Sequence, residues 1–194
     1  MAAIMRSLLA LLGATLSFVG APTPALAADN LDCVDGGYSA ADQARLDGFA
    51  KGFDLAAWST QGPPADIKKM VIDRTDACAQ LYGWSADAVS YALVFKMARI
   101  GLAGSEQNGA LNAGHIAALR KSITPQDMQK GKLAFGQMMQ ARRDGTAMPS
   151  ESPEMFVGRL IMRAGVPIEH ATAAGGWIGA TILSAYFAER FGAV

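Results

Sequence analysis

The sequence predicts an all-α bundle of six or seven helices held by one disulfide, and three observations carry that reading. Beyond residue 27, apolar residues recur at helical spacing through nearly the whole chain. Ser39, Ser85, Thr124 and Ser152 stand where the apolar runs begin, and glycine or proline stands where they end. No segment shows the sustained alternation of a half-buried strand.

Residues 1–27 read as a secretory signal peptide. Met1 to Arg6 carries one positive charge, Leu8 to Gly20 is an apolar run, and Ala25-Leu26-Ala27 supplies the small-x-small pattern of a peptidase site. The apolar run is too short to cross a bilayer and no stop-transfer charges follow it. Cleavage is expected between Ala27 and Ala28. No lipid-attachment cysteine sits there, and the short leader looks bacterial, so the expected location is a periplasm or the outside. Residues 28–194 remain, enough for a single domain with a sizeable core.

Ser39 opens the first helix, read as 39–59, with Asp42 three positions on and Leu46, Phe49, Phe53 and Ala56 along one face. Thr60 to Pro64 breaks the chain. Residues 65–82 repeat the pattern through Ile67, Met70, Val71, Cys78 and Leu81. Ser85 caps a third helix with Val89, Leu93, Met97 and Ile100 on one side. Tyr91 and Phe95 add a second apolar side, which predicts deep burial. Ala103 to Gly114, rich in Gly, Asn and Ser, reads as a loop. A short helix around 115–122 follows, then Thr124-Pro125 opens a longer one to about Asp144. Gly145 to Ser150 is a loop, Ser152-Pro153 starts a helix to Ala164, and Gly165-Val166-Pro167 ends it. The last helix spans 168–191.

That last helix has no charge from Ala171 to Ala188. Small residues recur every fourth position in two rows, Gly175 and Gly179, then Gly176, Ala180, Ser184 and Ala188. Such rows let backbones approach closely, so a central helix buried on all sides is expected, with Gly48-x-x-x-Gly52 as the complementary surface. A membrane-seeking helix is the alternative, opposed by the lack of a cationic face.

Halves 28–105 and 112–194 can be aligned. Ser39 and Asp42 match Thr124 and Asp127, Pro64 matches Pro153, Arg74 matches Arg163, Gly83-Trp84 matches Gly176-Trp177, and Arg99 matches Arg190. A duplication into two three-helix units would produce this order. Chance among helical segments of biased composition would produce it too.

The whole chain holds 17 basic and 17 acidic residues, and the leader removes Arg6, so the charges stay nearly balanced. That balance excludes a nucleic-acid footprint or a polybasic lipid patch. Cys33 and Cys78 are the only cysteines. In an oxidising compartment an even count reads as one disulfide, here closing a loop of about 46 residues for roughly 4 kcal/mol. Two buried free thiols are the alternative, because Cys78 lies on the apolar stripe of its helix.

No motif for catalysis, phosphate binding or covalent haem occurs. His115 and His170, the only histidines, have no ligand partner three or four residues away and read as surface residues at helix starts. Asp29 to Gly37 lacks the spacing of a calcium loop. Met138-Met139 and the pair Met155 and Met162 read as core packing rather than a copper site. No metal or cofactor is therefore expected.

These observations point to an exported, non-enzymatic module that binds a protein partner or an apolar small molecule in a groove between the halves. One alternative is an enzyme with a non-local active site acting on an anionic or apolar substrate, and another is an envelope-associated structural protein. Arg74, Arg99, Arg163 and Arg190 fall near apolar stretches and are the candidate ligand or partner contacts; their convergence in one cleft would favour an anionic ligand.

Overall fold

A computed structural model describes residues 28–146 and 153–194. The leader, Ala27, the 147–150 part of the expected loop, and Ser152 lie outside the described residues. The described residues form a 3-10 turn Leu31–Asp35, then α1 Ala40–Lys51, α2 Leu55–Gln61, α3 Ala65–Tyr82 and α4 Ala86–Gln107. They continue with α5 Ala113–Ser122, α6 Pro125–Asp144, α7 Pro153–Ala164, a 3-10 turn Ile168–His170 and α8 Ala171–Phe191. The described residues contain no strand, and the fold is all-α.

The helix starts follow from their caps. Ser39 and Ser85 accept backbone N–H bonds from Asp42 and Ala88, each at 3.1 Å. Thr124 and Asp127 form a reciprocal capping box with Pro125 at the first helical position. Each cap satisfies an N–H that the helix itself leaves unpaired.

Among the described residues the helix count is eight rather than six or seven, because 39–59 is two helices. Asp54 accepts from the N–H groups of Ala56 (2.8 Å) and Ala57 (3.1 Å) and so starts α2 inside what the apolar period marks as one run. The kink turns Phe53 inward onto α4. There a Cβ on Gly104 would stand 2.4 Å from the Phe53 ring, so the contact requires glycine. The same contact overturns the loop expected from Ala103. α4 continues to Gln107 with Gly104 and Ser105 buried, and only 108–112 connect it to α5. Asn108 secures that connection by donating to the Phe53 carbonyl at 3.1 Å, and Asn112 caps α5 by accepting from the His115 N–H at 2.8 Å.

α4 and α8 run antiparallel at the centre. Tyr91, near the start of α4, meets Phe187 near the end of α8, while Trp177, near the start of α8, donates to Glu106 near the end of α4 at 2.9 Å. α1 and α3 pack on α4, and α6 and α7 pack on α8. Of the aligned anchors, Ser39 and Thr124 occupy matching caps. Gly83 instead closes α3 in a left-handed conformation, whereas Gly176 lies inside α8.

The glycine contacts differ from those expected. A Cβ on Gly48 would meet nothing within 4 Å, so the Gly48–Gly52 pair is not the complement of α8. Leu55 of α2 fills that place instead, with its Cδ2 2.4 Å from where a Gly176 Cβ would stand. Nor is α8 buried on all sides. Ala174, Trp177, Ile178, Ile182, Phe187 and Phe191 are buried, but Gly175, Gly176, Gly179 and Ala180 are only half-buried. The methionines also depart from a core role: Met155 is 54% and Met162 73% exposed on the outside of α7.

Cys33 and Cys78 form the disulfide, which pins the turn 31–35 to α3. Cys78 is fully buried beside Val34, Ala88, Phe95 and Phe191. The turn is also held by charge. Asp35 pairs with the buried Lys96 at 3.0 Å and with Arg99 at 3.4 Å. Tyr38 donates to the Val34 carbonyl at 3.1 Å, and burial, then Asp35, pushes its phenol up to about 12.

Replacing both cysteines by serine is expected to lower the unfolding free energy by roughly 4 kcal/mol, read from urea titration of oxidised wild type against the double variant. Gly104→Ala is expected to cost about 1–3 kcal/mol by overpacking against Phe53, in the same assay. A Gly104→Ala midpoint equal to wild type would show that the Phe53 contact is soft.

Candidate apolar groove

α6 and α7 meet α8 through small residues, and the space these leave is an open apolar hollow. Gly131, Ala134, Phe135 and Met138 of α6 form one wall, and Glu154, Phe156 and Val157 of α7 form the other. Ala171, Thr172, Gly175, Gly179, Ile182 and Leu183 of α8 form the floor. The volume is about 630 Å³, within the range of sites for small organic molecules. Its surface is mainly apolar. Thr172 and Glu154 are the polar residues of its lining.

A second hollow of about 280 Å³ lies across α8 from the first. Phe53, Leu55 and Trp58 close one side, Val94, Met97, Ala98, Gly101 and Ser105 of α4 another, and Gly176, Gly179, Ala180 and Leu183 of α8 the floor. The Ser105 hydroxyl is spent on its own helix, donating to the Gly101 carbonyl at 2.9 Å. Both hollows suit apolar contact and neither presents an acid–base pair.

The four arginines do not converge. Arg74 donates through Nε and Nη2 to the Cys33 carbonyl at 3.0 and 2.8 Å, and so braces the disulfide turn. Arg99 pairs with Asp35 and lies 5.8 Å from the Phe95 ring centroid. Arg163 donates to Asp127 at 2.6 Å, joining α7 to the start of α6. Arg190 donates to the Tyr91 hydroxyl at 3.3 Å, joining α8 to α4. None lines either apolar hollow.

The histidines, in contrast, do come together. His115 on α5 and His170 in the turn before α8 have ring centroids 4.6 Å apart, although 55 positions separate them in sequence. The His115 Nδ1 is buried without a hydrogen-bond partner. Among the described residues no three His, Cys, Asp or Glu side chains group to hold a metal ion. Local spacing carried no trace of this pairing, because only the turn at Gly165-Val166-Pro167 folds the second ring back onto the first. Trp58, Gly131 and Ala134 escaped notice for a similar reason, and Phe53 was legible only as an apolar-face residue: their positions become neighbours of α8 only through tertiary packing.

Asp127 is the titratable group with the clearest structural role. The Thr124 hydroxyl, 2.6 Å away, is the largest cause holding its carboxyl below the usual carboxylate range, followed by the Thr124 N–H and Arg163. A carboxyl depressed in the folded state stabilises above its unfolded value near 4, and this is lost as pH falls through the native value. Asp127→Asn is therefore expected to lower the melting temperature at neutral pH, with the gap to wild type closing as pH falls below the unfolded value near 4. Circular-dichroism melts across that range provide the check, and a gap independent of pH would contradict it.

The chain matches no family model, and the comparisons found neither a curated protein nor a solved structure similar to it.

Proposed function

We propose that the chain is an exported, non-enzymatic binding module that holds an apolar small molecule in the groove over α8. One observation carries this reading: an apolar hollow of about 630 Å³ whose floor includes Gly179, at which a Cβ would meet nothing within 4 Å. A glycine inside a helix costs about 1 kcal/mol against alanine, and no neighbour repays that cost at this position. The groove lies mainly within the second half, not between the halves, and reaches the first half through the hollow beside Phe53.

Export is supported by the leader pattern of residues 1–27 and by the Cys33–Cys78 disulfide, which persists where the surroundings are oxidising. Among the described residues no helix is long and apolar enough to cross a membrane. The enzyme alternative loses its main support, since the four candidate arginines are dispersed and each is hydrogen-bonded or ion-paired within the fold. A protein partner is the second reading, favoured by the exposed Met155 and Met162 on one face of α7 and by Ile168, 87% exposed just beyond it.

Native mass spectrometry of protein purified from an exporting host is expected to show a mass beginning at Ala28, with added mass that leaves on denaturation. In parallel, the neutral probe N-phenyl-1-naphthylamine is expected to bind with a fluorescence rise. Ala134→Trp, which fills the groove from α6, should weaken it at least tenfold. A bare protein that also fails to bind the probe would overturn the reading.

A further inference from the structure

We infer that the two hollows are the ends of one site, and that the ligand is an elongated chain which crosses α8 at Gly179 beside Leu183. This rests on the binding reading above and adds the ligand's shape and the residue that limits its length.

Gly179 and Leu183 belong to the walls of both hollows, so the two spaces are separated at that point by no other element. The two residues are one helical turn apart and share a face. Other glycines near the crossing have packing reasons: Gly104 makes room for Phe53 and Gly176 for Leu55. Gly179 has none, and the opening it leaves is the sill between the hollows.

The ends differ in chemistry. The larger hollow is lined by Thr172, whose hydroxyl suits an uncharged polar head. The smaller ends in Phe53 and Trp58, apolar rings suited to a hydrocarbon tail. A long-chain alcohol matches this order, whereas a compact ring system would occupy the larger hollow alone.

Trp58 makes the crossing observable, since it lines the smaller hollow only. The probes are ω-bromo-octanol and ω-bromohexadecanol, whose terminal bromine quenches tryptophan on contact. The long chain is expected to quench wild-type fluorescence strongly and the short chain weakly, and Trp58→Phe should remove the difference.

Gly179→Leu places a side chain in open space, so the fold is expected to persist, checked by its melt. Long-chain affinity should then fall at least tenfold with loss of the Trp58 quench, while the short chain loses less. Equal quenching by both chains in wild type, or long-chain binding and quench unaltered in Gly179→Leu, would make the hollows independent sites and overturn the inference alone. Failure of both chains to bind wild type would overturn it together with the binding reading beneath it.

Discussion

Every other element leans on the antiparallel contact of α4 and α8. Each of these helices collects its own pair of flanking helices, and the two halves touch mainly where α4 and α8 cross. Trp84, Tyr91, Phe187 and Phe191 fill the end nearest the disulfide. Toward the opposite end Glu106 accepts from Trp177 and from Arg120 of α5, so one carboxylate ties three helices together.

Between those ends the packing is incomplete. Phe53 and Leu55 reach across from the α1–α2 kink and enter notches at Gly104 and Gly176, while a Cβ on Gly179 would meet nothing within 4 Å. The hollows are therefore a product of the same small residues that let the central helices approach. A bundle of this kind has two ways to use a glycine: to admit a neighbour's side chain or to leave room. Gly176 does the first and Gly179 the second, three positions apart on one helix.

Much of the fold was legible in the chain itself. Ser39, Ser85 and Thr124 announced their helices because capping is local chemistry, written within four residues. The disulfide was legible because only two cysteines exist to pair. The kink at Gly52-Phe53-Asp54 was hidden, since Asp54 is polar on a face where the apolar period tolerates one polar residue. The extension of α4 was hidden because Gly104 looks like a helix breaker until Phe53 is placed beside it. The groove was legible only as an odd accumulation of glycine in α8. Which of those glycines packs and which stays open depends on Leu55 and Val157, residues far away in sequence. The meeting of His115 and His170 was beyond reach for the same reason.

The cluster around the disulfide joins sequence-distant pieces: Val34 and Cys33 from the beginning of the domain, Phe187 and Phe191 from α8. A nucleus built from such contacts has to close a very long loop before burial returns any free energy. A nascent chain lacking α8 would leave Val34, Cys78 and Phe95 in water, with nothing to cover them. The topology thus delays completion of this part of the core until α8 has emerged, and keeps the two thiols within reach of oxidants until then.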